Sequence, residues 1–255
     1  VRPEEAQLSS GRTRRFPPAQ NHERSELLEP PRYPEPMRLY LASTSPARLA
    51  TLRAAGIEPV VVPSYVDEDA VLDDLRAEHG EGLTPAIIVE RLARAKALAV
   101  ADALDPASGE PLDGLVLGGD SMFEIGGRVL GKPHEPEVAR ERWLAQRGET
   151  GVLWSGHWLV DRRVGIGADS SGEGRGAVAS ARVTFADDLE DAEIDAYVAS
   201  GEPLEVAGAF TIDSLGGPYI SRIEGDPSTV IGLSLPTLRG LVRGFGVPWH
   251  ALWNR

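Results

Sequence analysis

The chain is 255 residues long, 42% hydrophobic and free of cysteine, with 26 basic against 39 acidic residues and a formal net charge of −13. That length buries a sizeable core in one large or two small domains, and the lack of cysteine removes disulfides, thiolate nucleophiles and cysteine-based zinc sites. The acidic balance disfavours nucleic acid and membrane surfaces as partners; no run reaches the roughly 18 apolar residues of a membrane span and the first residues lack a signal-peptide centre, so a cytoplasmic protein is expected.

Residues 1–36 hold seven of the 20 prolines, six arginines and six glutamates, with almost no periodic apolar pattern. Such a stretch cannot bury enough surface to offset its ordering entropy. It reads as a disordered extension, consistent with an over-long gene start because Met37 stands directly before the first credible strand, and residues 37–255 read as the folded domain. Arg38–Ala42 predicts a short strand. Ser45-Pro46 then opens a helix through Leu49, Leu52 and Ala55 that stops at Gly56, with Ser at the cap, Pro in the first turn and Gly past the end. Val60–Val62 predicts a second, buried strand, and Val66–Asp69 an acidic loop. Thr84-Pro85 opens a helix to about Ala103.

Leu115–Leu117 predicts a short apolar strand with Gly118-Gly119-Asp120 at its end. Gly126-Gly127 marks a hairpin turn between Met122–Ile125 and Arg128–Leu130. A helix follows from Pro136 to Arg147, then long strands at Val152–Val160 and Val178–Phe185, separated by a loose Gly/Ser-rich loop, Gly165–Gly176. A helix over Glu190–Ser200, strands near Ala209–Ile212 and Tyr219–Ile223, and a helix over Pro236–Phe245 complete the chain. Strands alternating with helices argue for an α/β fold, and the hairpins argue for a mixed sheet.

Only two of the 26 basic residues are lysines, Lys96 and Lys132. Lysine is a compact point charge where arginine is a rigid fork, so its survival at two places in an arginine-biased chain singles out both. The turn after the first strand offers Ser43 and Ser45 hydroxyls at a helix N-terminus, with Arg48 in the first helical turn where it can clamp an anion. No phosphate-loop string GxxxxGK[ST] occurs. The adjacent carboxylates Asp67, Glu68 and Asp69 can hold Mg²⁺ or can simply be solvated. The five histidines form no metal-ligating pair. Within RLARAKA, Arg94 and Lys96 are two apart and do not share a helix face, so one can point to a site while the other meets solvent. Asp120, read as a strand end, and Lys132 beyond the hairpin can meet as catalytic partners or as a buried ion pair. Trp154 and Trp158 share one strand face and read as core or interface packing.

Together the strings LASTSPARLATLRAAGIEP, VDED, RLARAKA, GGDS with GRVLGKP, YVASGEPLEVAGAF and EGDPSTVIGLSLP resemble, in order and spacing, the Maf-like proteins over Arg38 to about Val247. These are nucleoside triphosphate pyrophosphatases, once discussed as inhibitors of septum formation. The resemblance implies an α/β fold with a mixed, strongly bent sheet and two lobes around a nucleotide-binding cleft, and a homodimer. It implies cleavage of the α–β phosphoanhydride to a monophosphate and pyrophosphate with a divalent metal, Mg²⁺ or Mn²⁺. Asp120 would be the general base, and Glu68 with Asp120 the metal carboxylates. Ser43, Ser45 and Arg48 would form the phosphate-binding turn, and Lys96 and Lys132 the phosphate-neutralising cations, both facing one cavity. The alternative is a nucleotide-binding regulator of division whose hydrolysis is incidental.

Three positions depart from the family's pyrimidine-type members. Those favour Arg, Thr and Gln where this chain has Ala47, Ser121 and Asp213. An acidic residue at 213 is closer to the members that prefer a modified guanine nucleotide, since a carboxylate can accept from guanine N1–H and N2–H₂ together; their large aromatic at position 47 is absent. A guanine-type base is therefore expected ahead of a pyrimidine.

Overall fold

The computed structural model describes residues 37–103, 112–163, 172 and 174–255. The predicted extension over 1–36 and most of the predicted loop Gly165–Gly176 lie outside these residues; Gly176 itself belongs to a strand that begins at Arg175.

Strand β1 (Leu39–Ala42) leads into α1 (Pro46–Ala54), β2 (Val60–Val61), α2 (Glu68–His79) and α3 (Pro85–Ala103). The long strand β3 (Leu115–Ile125) turns into β4 (Arg128–Leu130), followed by α4 (Pro136–Gln146), β5 (Thr150–Asp161) and β6 (Arg175–Phe185). Helix α5 (Asp191–Ala199), β7 (Ile220–Glu224), α6 (Pro227–Ile231) and α7 (Leu235–Gly244) complete the regular elements. The strands form one mixed, open sheet in the order β2-β1-β3-β5-β6-β7, with β4 on the far end of β3. β1 runs parallel to β2 and β3, while β3, β5, β6 and β7 pair antiparallel.

Side chains alternate between the two faces of the sheet. On one face, Leu115 and Leu117 join Leu41, Leu52, Leu159 and Leu238 in a core beneath α1 and α7. Further along the same face, Phe123 and Leu153 join Trp143, Phe185, Tyr197 and Phe210 beneath α4 and α5. Trp143 is fully buried there, edge-on to Phe185, Tyr197 and Tyr219. The opposite face carries Val116 and Val160 against Ala97, Val100 and Ala101 of α3. That helix lies close because Gly118 and Gly156 leave room: a methyl on either would overlap the carbonyl oxygen of Ala93 or Val89. Among the described residues no helix is long and apolar enough to cross a membrane.

Several local expectations are corrected. β2 is an exposed edge strand, Val60 and Val61 being 47% and 42% accessible, and among the described residues it pairs with β1 alone. The acidic stretch is no loop: Asp67 accepts the Ala70 N–H and caps α2, whose first residue is Glu68. The apolar run at 115–117 does not stop before Asp120. Pairing with β5 from Leu115↔Asp161 to Glu124↔Val152 carries the strand through both glycines, so Asp120 lies mid-strand. Ala209–Ile212 is not a strand; Gly208 and Ala209 have φ of 74° and 62°, and the resulting turn hands their carbonyls to Gln146 and Trp143.

Candidate active site

The site begins with a gap in the sheet. β1 leaves β3 at the pair Ala42↔Gly118, and β4 joins it only at Phe123↔Leu130. Among the described residues, Gly119–Met122 are therefore paired on the β5 side alone, and their other edge is open. The chain leaving β1 turns at this edge. Ser45 N–H donates to Ser43 Oγ at 3.2 Å, and Ser45 Oγ accepts the Arg48 N–H at 3.4 Å as the cap of α1. The positive end of a helix thus lies at the carboxyl end of the parallel strands, where α/β folds gather ligands.

On the α3 face of the gap, Lys96 Nζ lies 2.7 Å from Asp120 Oδ1 and 2.8 Å from Glu68 Oε1. Lys96 and Asp120 are both 8% accessible, whereas the Glu68 side chain is half exposed. Burial raises the Asp120 carboxyl above its usual range, against the pull of Lys96 and Arg48, and the Glu68 charge adds to the rise. Arg94, two residues from Lys96, instead stacks over Trp158 at 5.4 Å, as the helix spacing predicts.

Two carboxylates already converge on one cation, their oxygens no farther apart than the sum of the two bond lengths, about 5.5 Å. The donor set fits a hard divalent ion that takes one or two carboxylates and completes its shell with phosphate and water. The described residues hold no group of three or more ligands that would cage a metal by itself.

The other face of the gap is polar and buried. Arg48 donates from Nε to the Gly232 carbonyl at 2.9 Å, from Nη1 to Ser43 Oγ at 3.1 Å and from Nη2 to Ser121 Oγ at 3.0 Å. Ser121 Oγ is 3.3 Å from Ser155 Oγ on β5. Burial lowers the Arg48 pKa, against the charges of Asp120 and Glu68. Expected as an anion clamp, Arg48 is 8% accessible and ties three segments of the chain together. The local sequence does not tie Arg48 to Gly232, 184 residues away, nor Ser121 to Ser155, which shows only as a small polar residue within an apolar strand.

The scan against family models matches residues 38–245 to Maf-like protein. The chain belongs to the Maf-like family. A relative from Leifsonia xyli subsp. xyli is 67% identical over 219 residues, covering 86% of this chain and 98% of that protein. Relatives from Salinispora tropica and Corynebacterium efficiens are 51% and 46% identical, each covering 86% of this chain and 89% or all of the relative. All three carry the name nucleoside triphosphate pyrophosphatase.

The remaining Maf-like motif positions are spread more widely. Lys132 does not meet Asp120; it is about half exposed and stands 3.7 Å from Glu205 Oε2, so the ammonium that pairs with the buried carboxylate is that of Lys96. The β3–β4 turn sends the chain from Lys132 towards the Leu204 segment, where His134 N–H bonds the Leu204 carbonyl at 3.0 Å. Ala47 is partly buried in the first turn of α1, and Ser121 joins the Arg48 network. Asp213 is exposed on a turn that Glu202 holds shut. Glu202 accepts from Tyr197 and Thr211 hydroxyls at 3.0 and 2.5 Å, from the Ser214 hydroxyl at 2.7 Å and from the Leu215 and Gly216 amides. Burial would raise the Glu202 pKa, but these donors prevail and hold it at about 2. Trp154 is partly buried, its Nε1 donating to Glu124 at 3.0 Å.

Proposed function

We propose that this chain is a nucleoside triphosphate pyrophosphatase that hydrolyses the α–β phosphoanhydride to a nucleoside monophosphate and pyrophosphate. The observation that carries the reading is the Glu68–Lys96–Asp120 constellation beside the open edge of β3 and the α1 N-terminus. Family membership and the names of the relatives support it.

In this reading the phosphates lie against the Ser43–Ser45 turn, where hydroxyls and the helix terminus offer donors. Asp120 accepts a proton from a water as the water oxygen bonds to the α-phosphorus. The bond from that phosphorus to the α–β bridging oxygen breaks, and its electron pair leaves with pyrophosphate. A buried carboxylate with raised proton affinity suits this role, worth about 10²–10⁴-fold for a general base. Lys96 favours the ionised form of Asp120 against the effect of burial and places positive charge next to the phosphates. Arg48 holds the Ser43 turn and Ser121 in register across the gap. Glu68 and Asp120 would hold Mg²⁺ or Mn²⁺, which when bound neutralises phosphate charge. Lys132 reaches the phosphates from the β4 side by movement of its exposed side chain. Asp213 reads the base, a guanine-type ring being preferred because its N1–H and N2–H₂ are both donors. Homodimerisation and a cytoplasmic location complete the reading.

The deciding experiment is hydrolysis with Mg²⁺ of each standard nucleoside triphosphate and 7-methyl-GTP, resolving monophosphate from diphosphate. Monophosphate with pyrophosphate, lost in Asp120→Asn, is the expected result. Diphosphate with phosphate overturns the bond assignment, and tight binding without turnover replaces the enzyme by a nucleotide-binding regulator.

A further inference from the structure

Between the two apolar cores, the sheet face that carries Leu117 and Phe123 turns polar. Gly119 and Ser121 of β3 stand opposite His157 and Ser155 of β5, and both β5 residues are fully buried. His157 Nε2 accepts the backbone N–H of Ser234 at 2.8 Å. Ser234 caps α7 and lies two residues beyond Gly232, whose carbonyl receives Arg48 Nε at 2.9 Å. Gly232 has a φ of 105°, in the left-handed region, so the direction of its carbonyl depends on how the short link from α6 to α7 is held. On one side that link is held by Ser228, whose Oγ accepts the Leu235 N–H at 2.9 Å. On the other it is held by His157.

A ring nitrogen that accepts a hydrogen bond carries no proton, so the neutral ring keeps its hydrogen on Nδ1. Nδ1 has no partner of bonding geometry among the described residues, although the backbone of Ala177 and Ser155 lies beside it. Burial first, and then the Arg48 charge, lower the imidazole to about pKa 4, with Asp226 opposing. Protonation would turn Nε2 into a donor facing another donor. An apolar side chain here would leave the Ser234 N–H buried and unpaired.

We propose that His157 is a positioning residue for hydrolysis: by accepting the Ser234 N–H it anchors the Gly232 carbonyl that aligns Arg48 across the gap from Asp120. This inference rests on the pyrophosphatase reading above. Its test compares His157→Leu and His157→Gln, alone and in an Arg48→Lys background, by steady-state kinetics on the best nucleotide of the panel. His157→Leu should lower kcat/KM by about 10- to 100-fold, the loss that a misplaced site group brings. His157→Gln, whose amide oxygen can accept the same bond, should recover most of it. In Arg48→Lys, which lacks the fork that bonds Gly232, His157→Leu should add less than about twofold. Equal losses in both backgrounds, or full activity in His157→Leu, overturn the inference. If His157→Leu does not fold, ¹⁵N spectra of the wild-type imidazole decide: a neutral ring protonated on Nδ1 at pH 6 supports the anchor, and a ring protonated on Nε2 overturns it. That spectrum needs no turnover, so a wild-type protein without activity removes the functional reading and leaves the anchor to be judged by itself.

Discussion

Asp120 is placed where two demands conflict. The base proposed here needs proton affinity, which burial supplies, while the Lys96 charge pulls the other way, towards the ionised form. Because the folded-state pKa is raised, ionisation of Asp120 opposes folding as pH climbs through that value. Asp120→Asn is therefore expected to lose about 10²–10⁴-fold in kcat while its unfolding midpoint at pH 8 is no lower than that of the wild type. Parallel kinetics and calorimetry check both; a variant that melts well below the wild type shows the Lys96 pair outweighing the burial cost. Lys96 itself pulls the carboxyl down, so Lys96→Gln should move the acid limb of the kcat/KM profile to higher pH as well as lower its plateau. A limb that stays in place or moves to lower pH would remove Asp120 as the titrating base.

At the level of elements, the site is assembled by close contact between a helix and a sheet. α3 presents Lys96 to Asp120 only because β3 and β5 carry glycine beneath it. Gly118→Ala forces the α3 backbone outward, and overpacking of this kind costs about 1–3 kcal/mol. Urea unfolding should show that loss together with a fall in activity, because the displaced helix carries the ammonium with it. The loop of Asp213 depends on Glu202 in a similar way. Its pKa, lowered from 4.5 to about 2, means that its contribution is present above pH 4.5 and lost as pH falls towards 2. Glu202→Gln is expected to cost on the order of 1–2 kcal/mol at pH 7, after allowance for partial solvent access, and nothing at pH 2. Proteolysis of the 211–216 turn would report the same opening locally. Lys132 lies in the stretch after β4, where Arg142 holds the Gly131 carbonyl and His134 is tied to Leu204, and it stands beside Glu205 rather than Asp120.

For the whole molecule, the polar seam between two apolar cores adds a response to acid through His157. The folded-state pKa of His157 is lowered from 6.5 to about 4, so the unfolded chain binds the extra proton between those values. The stability it secures is complete above pH 6.5 and is lost as pH falls to about 4, by about 3 kcal/mol. Melting temperature measured across this window should fall in the wild type and fall less in His157→Gln; identical slopes would place the acid sensitivity elsewhere. The net charge of −13 is not concentrated at the gap, where Lys96 and Arg48 balance Asp120 and Glu68 and the α1 N-terminus adds partial positive charge.

What could be read without coordinates was local. The Ser45 cap, the Gly126-Gly127 hairpin, the helix opening at Pro85 and the two long strands follow from short-range sterics and periodicity, and α1, the β3–β4 turn, α3, β5 and β6 match them closely. The motif strings identified the family and singled out Asp120, Lys96 and Glu68. The errors arose where partners lie far apart in sequence. Gly118-Gly119 reads as a strand end until β5 pairs across it, and Ala209 reads as strand until Trp143 claims its carbonyl. Asp67–Asp69 reads as a loop although the apolar residues Val71, Leu72 and Leu75 behind its cap announce a helix. Arg48 reads as a free cation, and Lys132 as a neighbour of Asp120, because charge is visible in a sequence but pairing is not. Only the tertiary structure buries Arg48 on Gly232, Ser43 and Ser121, and brings His157 to Ser234, since those bonds join residues between 5 and 184 positions apart. Propensity acts over a few residues of chain; hydrogen bonding and burial act over a few ångströms of space.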